Sequence, residues 1–357
     1  MGVLLSEARA KFASLNKDSI NLGLDRMNMA LERLGHPEKR LRGIVHISGT
    51  NGKGSTVAAL ETAGQMNGYR VQSFTSPFLW SFNENVRLNG IFASENECAK
   101  KFEQIWRECK DIEPTWFEAD TLVAFLQFAE WNADITIIEC GMGGISDATA
   151  AAPKPVAAIL TNVSNDHAEF LGSNLDRVAV EKARISKGSP LYVPADFKFN
   201  VGCVRRVTTG PTHPSLALAN AVMSKHFHAS KHITRMPTIL GRWQRDTTDP
   251  SVIYDVGHNA HAAEFLAEKL AKEKGPYRLC LGMLKRKSIS AFMMPFQNLN
   301  IFVDPVDLGE QGHSTEYIAR TARDLEFSLY DKQGIHTTLI TGSHQTVALA
   351  NHLRPAA

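Results

Sequence analysis

The stretch HISGTNGKGSTVAAL, His46 to Leu60, decides the fold of this chain. A β-branched run, RGIVHIS, feeds a glycine-rich turn, Gly49-Thr50-Asn51-Gly52-Lys53-Gly54-Ser55, which opens straight into a helix-period segment. Strand, turn and helix start in that order aim several backbone N–H groups and the positive end of a helix dipole at one point, which favours a bound phosphate. Lys53 is placed to neutralise phosphate charge and Ser55 to put its hydroxyl on Mg²⁺. The spacing departs from the general G-x-x-x-x-G-K-[ST] loop, because Ile47 stands where the first glycine belongs and Gly54 separates Lys53 from Ser55.

Outward from this loop, the same arrangement recurs. YRVQSF leads into Thr75-Ser76-Pro77, DITIIE ends at Glu139 before GMGG, and VAAILTNVS ends at Asn165-Asp166-His167. Four candidate strands thus deliver small, polar or charged residues at their C-terminal ends, where open α/β sheets bind ligands. A second series follows Gly241-Arg242: PSVIYD ends in Asp255-Val256-Gly257-His258-Asn259, YRLCLGML in Lys285-Arg286-Lys287, and HTTLITGS in Ser343, with helical stretches such as HAAEFLAEKLAKE between them. Strands alternating with helices predict an α/β fold. The expectation is an N-terminal doubly wound parallel sheet with the phosphate loop, residues 1–239, and a smaller Rossmann-like α/β domain, residues 240–357. Between the two series, VPADFKFNVGCVRRVTTGPTHPS lacks periodicity and reads as loop or small strands.

At 357 residues two domains are the default. The 39 Lys+Arg against 37 Asp+Glu, a net of +2, leave no broad footprint for nucleic acid. Five scattered cysteines form no C-x-x-C pair, so neither a disulfide framework nor a zinc site is expected, and a reducing cytoplasm fits. The first residues carry too short an apolar run for a secretory signal, and no stretch reaches membrane-spanning length. A soluble monomer is expected.

The unusual loop spacing carries a resemblance. HISGTNGKGS resembles the loop of the folylpolyglutamate synthase/dihydrofolate synthase family, within the Mur-ligase-like ATP-dependent ligases. TSPFLWSFNENVRLNG, IIECGMGG with DAT, NDHAEFLG and VEKARISKG are similar to further elements of that family, as are GRW, YDVGHNAHAAEFL, GML and TGS in the second series. The order is kept over nearly the whole chain.

The resemblance implies an ATP-dependent ligase that adds L-glutamate to a folate-type carboxylate, either dihydropteroate or a reduced folate, through an acyl phosphate. Phosphoryl transfer calls for cations that spread the developing charge. It implies that Gly49 to Ser55 hold ATP, that Ser55 serves a nucleotide-bound Mg²⁺, and that Ser76, Glu139 and His167 serve a second. Lys182, among the apolar Leu175, Val178, Ala179 and Ile185 on one helical face, would ordinarily extend to solvent; the matching family lysine is carbamylated, which makes it an anion near the metals. Arg242 and Asp255 are expected to approach the nucleotide, Asn220 to contact adenine, and His258 to lie near the incoming glutamate.

The chain also departs from the family pattern. Its DATN reads Asp147-Ala148-Thr149-Ala150, a preceding Arg-Leu reads Ile145-Ser146, and the D-K-D after GML reads Arg286-Lys287-Ser288. The segment from Lys187 to Gly241 is shorter than the family's. Two alternatives therefore stand beside the leading one: a Mur-like ligase for another carboxylate, and a non-catalytic nucleotide-binding protein.

Overall fold

A computed structural model describes residues 4–15, 23–164, 172, 174–209, 213–331 and 334–349. The chain divides into two compact units, Met1–Pro237 and Thr238–Ala357.

The first unit is built on eight strands: β1 (Ile44–Ser48), β2 (Val71–Phe74), β3 (Val86–Leu88), β4 (Ile91–Phe92), β5 (Ile135–Glu139), β6 (Ala157–Leu160), β7 (Leu191–Pro194) and β8 (Arg205–Val207). They lie in the order β4-β3-β2-β5-β1-β6-β7-β8. Pairing is parallel from β2 through β8 and antiparallel only where β3 and β4 extend one edge. Among the described residues seven helices accompany it: α1 (Leu5–Leu15), α2 (Asp25–Arg33), α3 (Lys53–Met66), α4 (Glu95–Cys109), α5 (Trp116–Trp131), α6 (Leu175–Ala183) and α7 (Pro214–Phe227).

Every residue of β1, β2 and β5 is buried, which is why these strands read as continuous apolar runs. Alternation survives beneath that run. Ile44 and Ile138 pack into a core with α1, α2, α4 and α5, whereas Val45, Ile47 and Ile137 pack on the opposite face with α3 and α7. Helix starts are well specified: Ser94 with Glu97, and Thr115 with Glu118, form capping boxes at α4 and α5.

The second unit holds six strands, β9 (Gln244–Arg245), β10 (Val252–Tyr254), β11 (Tyr277–Leu281), β12 (Ile301–Pro305), β13 (Ser328–Leu329) and β14 (Thr337–Thr341), in the order β13-β12-β11-β14-β10-β9. All pairs are parallel except β9 with β10. Helices α8 (Ala260–Leu270), α9 (Ile289–Met293), α10 (Thr315–Asp324) and α11 (His344–Ala348) complete it. Leu279, Leu281, Val303, Leu339 and Leu266 share its own core.

All seven strands expected from the sequence are present. The additional ones are mostly short or at an edge; β12 is the exception, a five-residue strand, Ile301–Pro305, whose run ends in proline. In the aperiodic stretch, β8 pairs with β7, and α7 begins at Pro214. Among the described residues no helix is long and apolar enough to cross a membrane.

Candidate functional site

The loop after β1 is stitched to the end of β6. Gly49 has φ of 141°, and a Cβ there would lie 1.9 Å from Thr161 Oγ1, so only glycine fits between the strands. The Thr50 N–H donates to the Asn162 carbonyl at 3.0 Å and the Asn51 N–H to Asn162 Oδ1 at 2.8 Å. Thr161 Oγ1 donates to the Asn51 carbonyl at 2.7 Å. Gly52, at φ 82°, is the N-cap of α3 and provides no side chain to occupy the first N–H groups of the helix. The turn is therefore rigid, and its helix start is open to an anion.

Lys53 folds back over the turn, its Nζ donating to the carbonyls of Gly49 and Thr50 at 3.2 Å each and standing 3.9 Å from Glu139 Oε1. Glu139 ends β5, is 4% exposed, and is brought to the loop by the register that sets Ile47 opposite it. Glu139 reaches the start of α3: a Cβ at Gly54 would make ordinary contact with its Oε2, at 3.6 Å. Lys182 does not extend to solvent. It is buried on α6, and its Nζ donates to the same Gly49 carbonyl at 3.4 Å. The approach of α6 depends on Gly144, where a Cβ would meet the Glu181 carbonyl at 1.9 Å. Burial holds the neighbouring Cys140 thiol well above its ordinary pKa; Asp147 adds to this, and Lys182 and Lys53 offset part of it. Two lysines and one buried carboxylate thus share one small volume.

The GMGG turn is latched to β1 twice. Ser48 Oγ donates to the Gly143 carbonyl at 2.9 Å. Asp147 accepts the Met142 N–H at 2.8 Å on one oxygen and the Thr149 hydroxyl and N–H on the other. Since the Thr149 proton goes to Asp147, His46 Nε2, 3.0 Å from Thr149 Oγ1, is the donor in that contact. Burial, with Lys187 nearby, lowers the His46 pKa to about 3, so the link is between neutral groups.

Strand order β2-β5-β1-β6 sets the segment carrying Ser76, then Glu139, then the loop with Ser55, then Thr161 and Asn162, along one end of the sheet. His167 lies outside the described residues. The donors are hard oxygens, which suit Mg²⁺ and not zinc. Among the described residues no three His, Cys, Asp or Glu side chains converge on a metal position. Phosphate and water oxygens would complete the shell, as Mg²⁺ accepts. The residues fit a nucleotide-bound Mg²⁺.

Asn220, on α7, spans the backbone of Ile233: its Nδ2 donates to the carbonyl at 2.9 Å and its Oδ1 accepts the N–H at 3.0 Å. In the second unit, Asp255 is buried, with Oδ1 accepting the Gly257 N–H and Oδ2 the Trp243 N–H, both at 2.8 Å. Burial raises its pKa, and Arg242 opposes the rise most strongly. Asp255 therefore ties the turn carrying Arg242 to the turn carrying His258. His258 Nδ1 lies 2.9 Å from the Val256 carbonyl, and its ring stands 5.9 Å from that of His344.

Sequence reading missed Thr161, Asn162, Gly144 and the His46–Thr149–Asp147 chain. A strand-end Thr-Asn was visible in VAAILTNVS, but its partner on another strand was not.

A family model described as Mur ligase middle domain matches residues 47–198. A Haemophilus influenzae protein named dihydrofolate synthase/folylpolyglutamate synthase is 30% identical over 349 residues, covering 80% of this chain and 78% of that protein. The structure of Escherichia coli FolC in complex with DHPP and ADP superposes with a TM-score of 0.83 at 26% identity, covering 98% of this chain and 97% of that one. A bifunctional folylpolyglutamate synthase/dihydrofolate synthase with Mn, AMPPNP and L-glutamate bound gives 0.81 at 27% identity, with 98% of each chain covered.

Proposed function

The chain belongs to the dihydrofolate synthase/folylpolyglutamate synthase family, and from that premise we propose how its residues divide the work of an ATP-dependent ligase joining L-glutamate to a folate-type carboxylate. The observation that carries the reading is the phosphate loop with Lys53 3.9 Å from the buried Glu139. The loop N–H groups and Lys53 hold the β- and γ-phosphates. The acceptor carboxylate attacks the γ-phosphorus, the bond to the leaving ADP oxygen breaks, and an acyl phosphate forms. The glutamate amine then attacks the acyl carbon, phosphate leaves, and the amine gives up a proton. Mg²⁺, when bound, spreads the charge on the transferring phosphoryl group.

Ser55 is the ligand for the nucleotide's Mg²⁺, and Ser76, Glu139 and His167 serve a second cation. Lys182, buried against Gly49, is the site of carbamylation, which would exchange its positive charge for a carboxylate beside these metals. Residues 1–239 form the ATP-binding domain and 240–357 the glutamate-ligase domain. Arg242 and Asp255 serve the nucleotide, with Asp255 acting by fixing the Arg242 turn. Asn220 contacts adenine, and His258 faces the incoming glutamate. The protein works as a cytoplasmic monomer.

Both dihydropteroate and a reduced folate already carrying glutamate are substrates, a reading supported by the double names of the relatives. The test is an acceptor panel containing both, plus an unrelated carboxylate, with MgATP and L-glutamate, read by mass spectrometry for one added glutamyl residue. Product from only one folate-type acceptor would restrict the activity to that one. Product from the unrelated acceptor alone would overturn the folate assignment.

A further inference from the structure

Arg87, at the centre of β3, stands outside the roles given so far, yet it forms a three-branched polar contact near Ser76. Its side chain is 16% exposed and its Nε donates to Glu61 Oε1 at 3.1 Å. Its Nη1 donates to Thr75 Oγ1 at 3.2 Å and to the Glu84 carbonyl at 3.1 Å. Glu61, 7% exposed, lies on α3 about two turns beyond Lys53 and also accepts the Ser73 hydroxyl at 2.5 Å. The intervening loop is closed from within. Glu84 accepts the N–H groups of Leu79, Trp80 and Ser81 at 2.9, 2.8 and 2.6 Å, and the Thr75 N–H donates to the Asn85 carbonyl at 2.9 Å. Ser76 sits inside this closed loop, next to the residue Arg87 grips.

We propose that Arg87 is a positioning residue: by pairing with Glu61 on the phosphate-loop helix while holding both ends of the Thr75–Asn85 loop, it sets where the Ser76 hydroxyl stands relative to the second divalent cation. The proposal rests on the reading of Ser76 as a metal ligand. A lysine could not replace it, because one ammonium cannot reach three acceptors from the fixed directions of a guanidinium fork. Nor does stability explain the pair, since a buried ion pair exchanged as a whole for neutral groups often costs nothing. What the pair supplies is a fixed distance between the phosphate-loop helix and the Thr75–Asn85 loop.

The test is Mn²⁺ binding to the whole protein in the presence of a non-hydrolysable ATP analogue, followed by electron paramagnetic resonance. Three variants are compared: Arg87→Lys, the double variant Glu61→Gln/Arg87→Gln, and Ser76→Ala. The double variant removes both buried charges together, so its fold persists where a single neutralisation could fail. All three are expected to weaken the binding of the second Mn²⁺ about tenfold or more, as loss of a partner that orients a metal ligand does, and to leave the nucleotide-bound Mn²⁺ in place. Affinity for the analogue at saturating Mn²⁺ and the circular dichroism should stay at wild type. Arg87 variants that bind Mn²⁺ like wild type while Ser76→Ala is weakened would overturn the positioning role and leave Ser76 a ligand, even if their unfolding midpoint falls. Wild-type binding by Ser76→Ala would remove the ligand reading and the positioning role with it.

Discussion

Glu139 and His46 are both buried on central strands, Glu139 facing a lysine and His46 kept neutral by burial. Glu139 has Lys53 at 3.9 Å, so its carboxylate is held where cations gather. Glu139→Gln keeps the volume and removes the charge. Ligation is expected to fall on the order of a hundredfold or more, as when a main electrostatic stabiliser is lost, and excess Mg²⁺ should restore it poorly. A rate within a fewfold of wild type would return Glu139 to a structural role. Burial, with Lys187 nearby, keeps His46 neutral in the fold down to about pH 3, whereas the unfolded imidazole takes a proton near 6.5. The unfolded state therefore binds the extra proton between these values, and stability must fall as pH drops through that window, by up to about 1.4 kcal/mol per pH unit. His46→Gln retains a donor for Thr149 and lacks this component. Urea midpoints at pH 7, 5 and 4 should fall more steeply for wild type than for the variant; parallel slopes would show that His46 is not the group responsible.

At the level of elements, the site depends on how closely α6 approaches the GMGG turn. Gly144 faces the Glu181 carbonyl at a distance that leaves no room for a methyl group. Gly144→Ala should push α6 outward, costing about 1–3 kcal/mol as overpacking does. Because the displaced helix carries Lys182, ligation should drop by more than the loss of folded protein explains. Thermal unfolding and the specific activity of the folded fraction check this together; full activity in the folded fraction would mean that the position of Lys182 is not critical. From the sequence, the strand identities and the loop were legible because buried parallel strands are apolar runs and glycine-lysine turns are chemically distinctive. The latches were not. Ser48 with Gly143, and His46 with Thr149, join residues about a hundred positions apart, and local pattern carries no information about such pairings.

For the whole molecule, each unit has its own sheet and core, and the two candidate clusters lie on different units. His258→Ala should leave ATP-analogue binding unchanged in calorimetry and depress the ligation rate in its dependence on glutamate concentration. Lost nucleotide affinity with normal ligation at saturating ATP would place His258 with the nucleotide. No change in either would leave it a structural histidine.

The sequence by itself determined the α/β class, the two strand series and the phosphate loop, since periodicity, burial and turn chemistry are local properties written in neighbouring residues. It also placed Lys53 and Ser55 where the turn opens into a helix and Glu139 at a strand end. Tertiary structure alone decided that Lys182 turns inward to Gly49, that Asp255 spends both oxygens on the backbone of two turns, and that Arg87 bridges a helix and a loop. Each of these is a contact between segments distant in sequence, set by strand order and register, and a side chain's partner is known only once the sheet has brought that segment alongside.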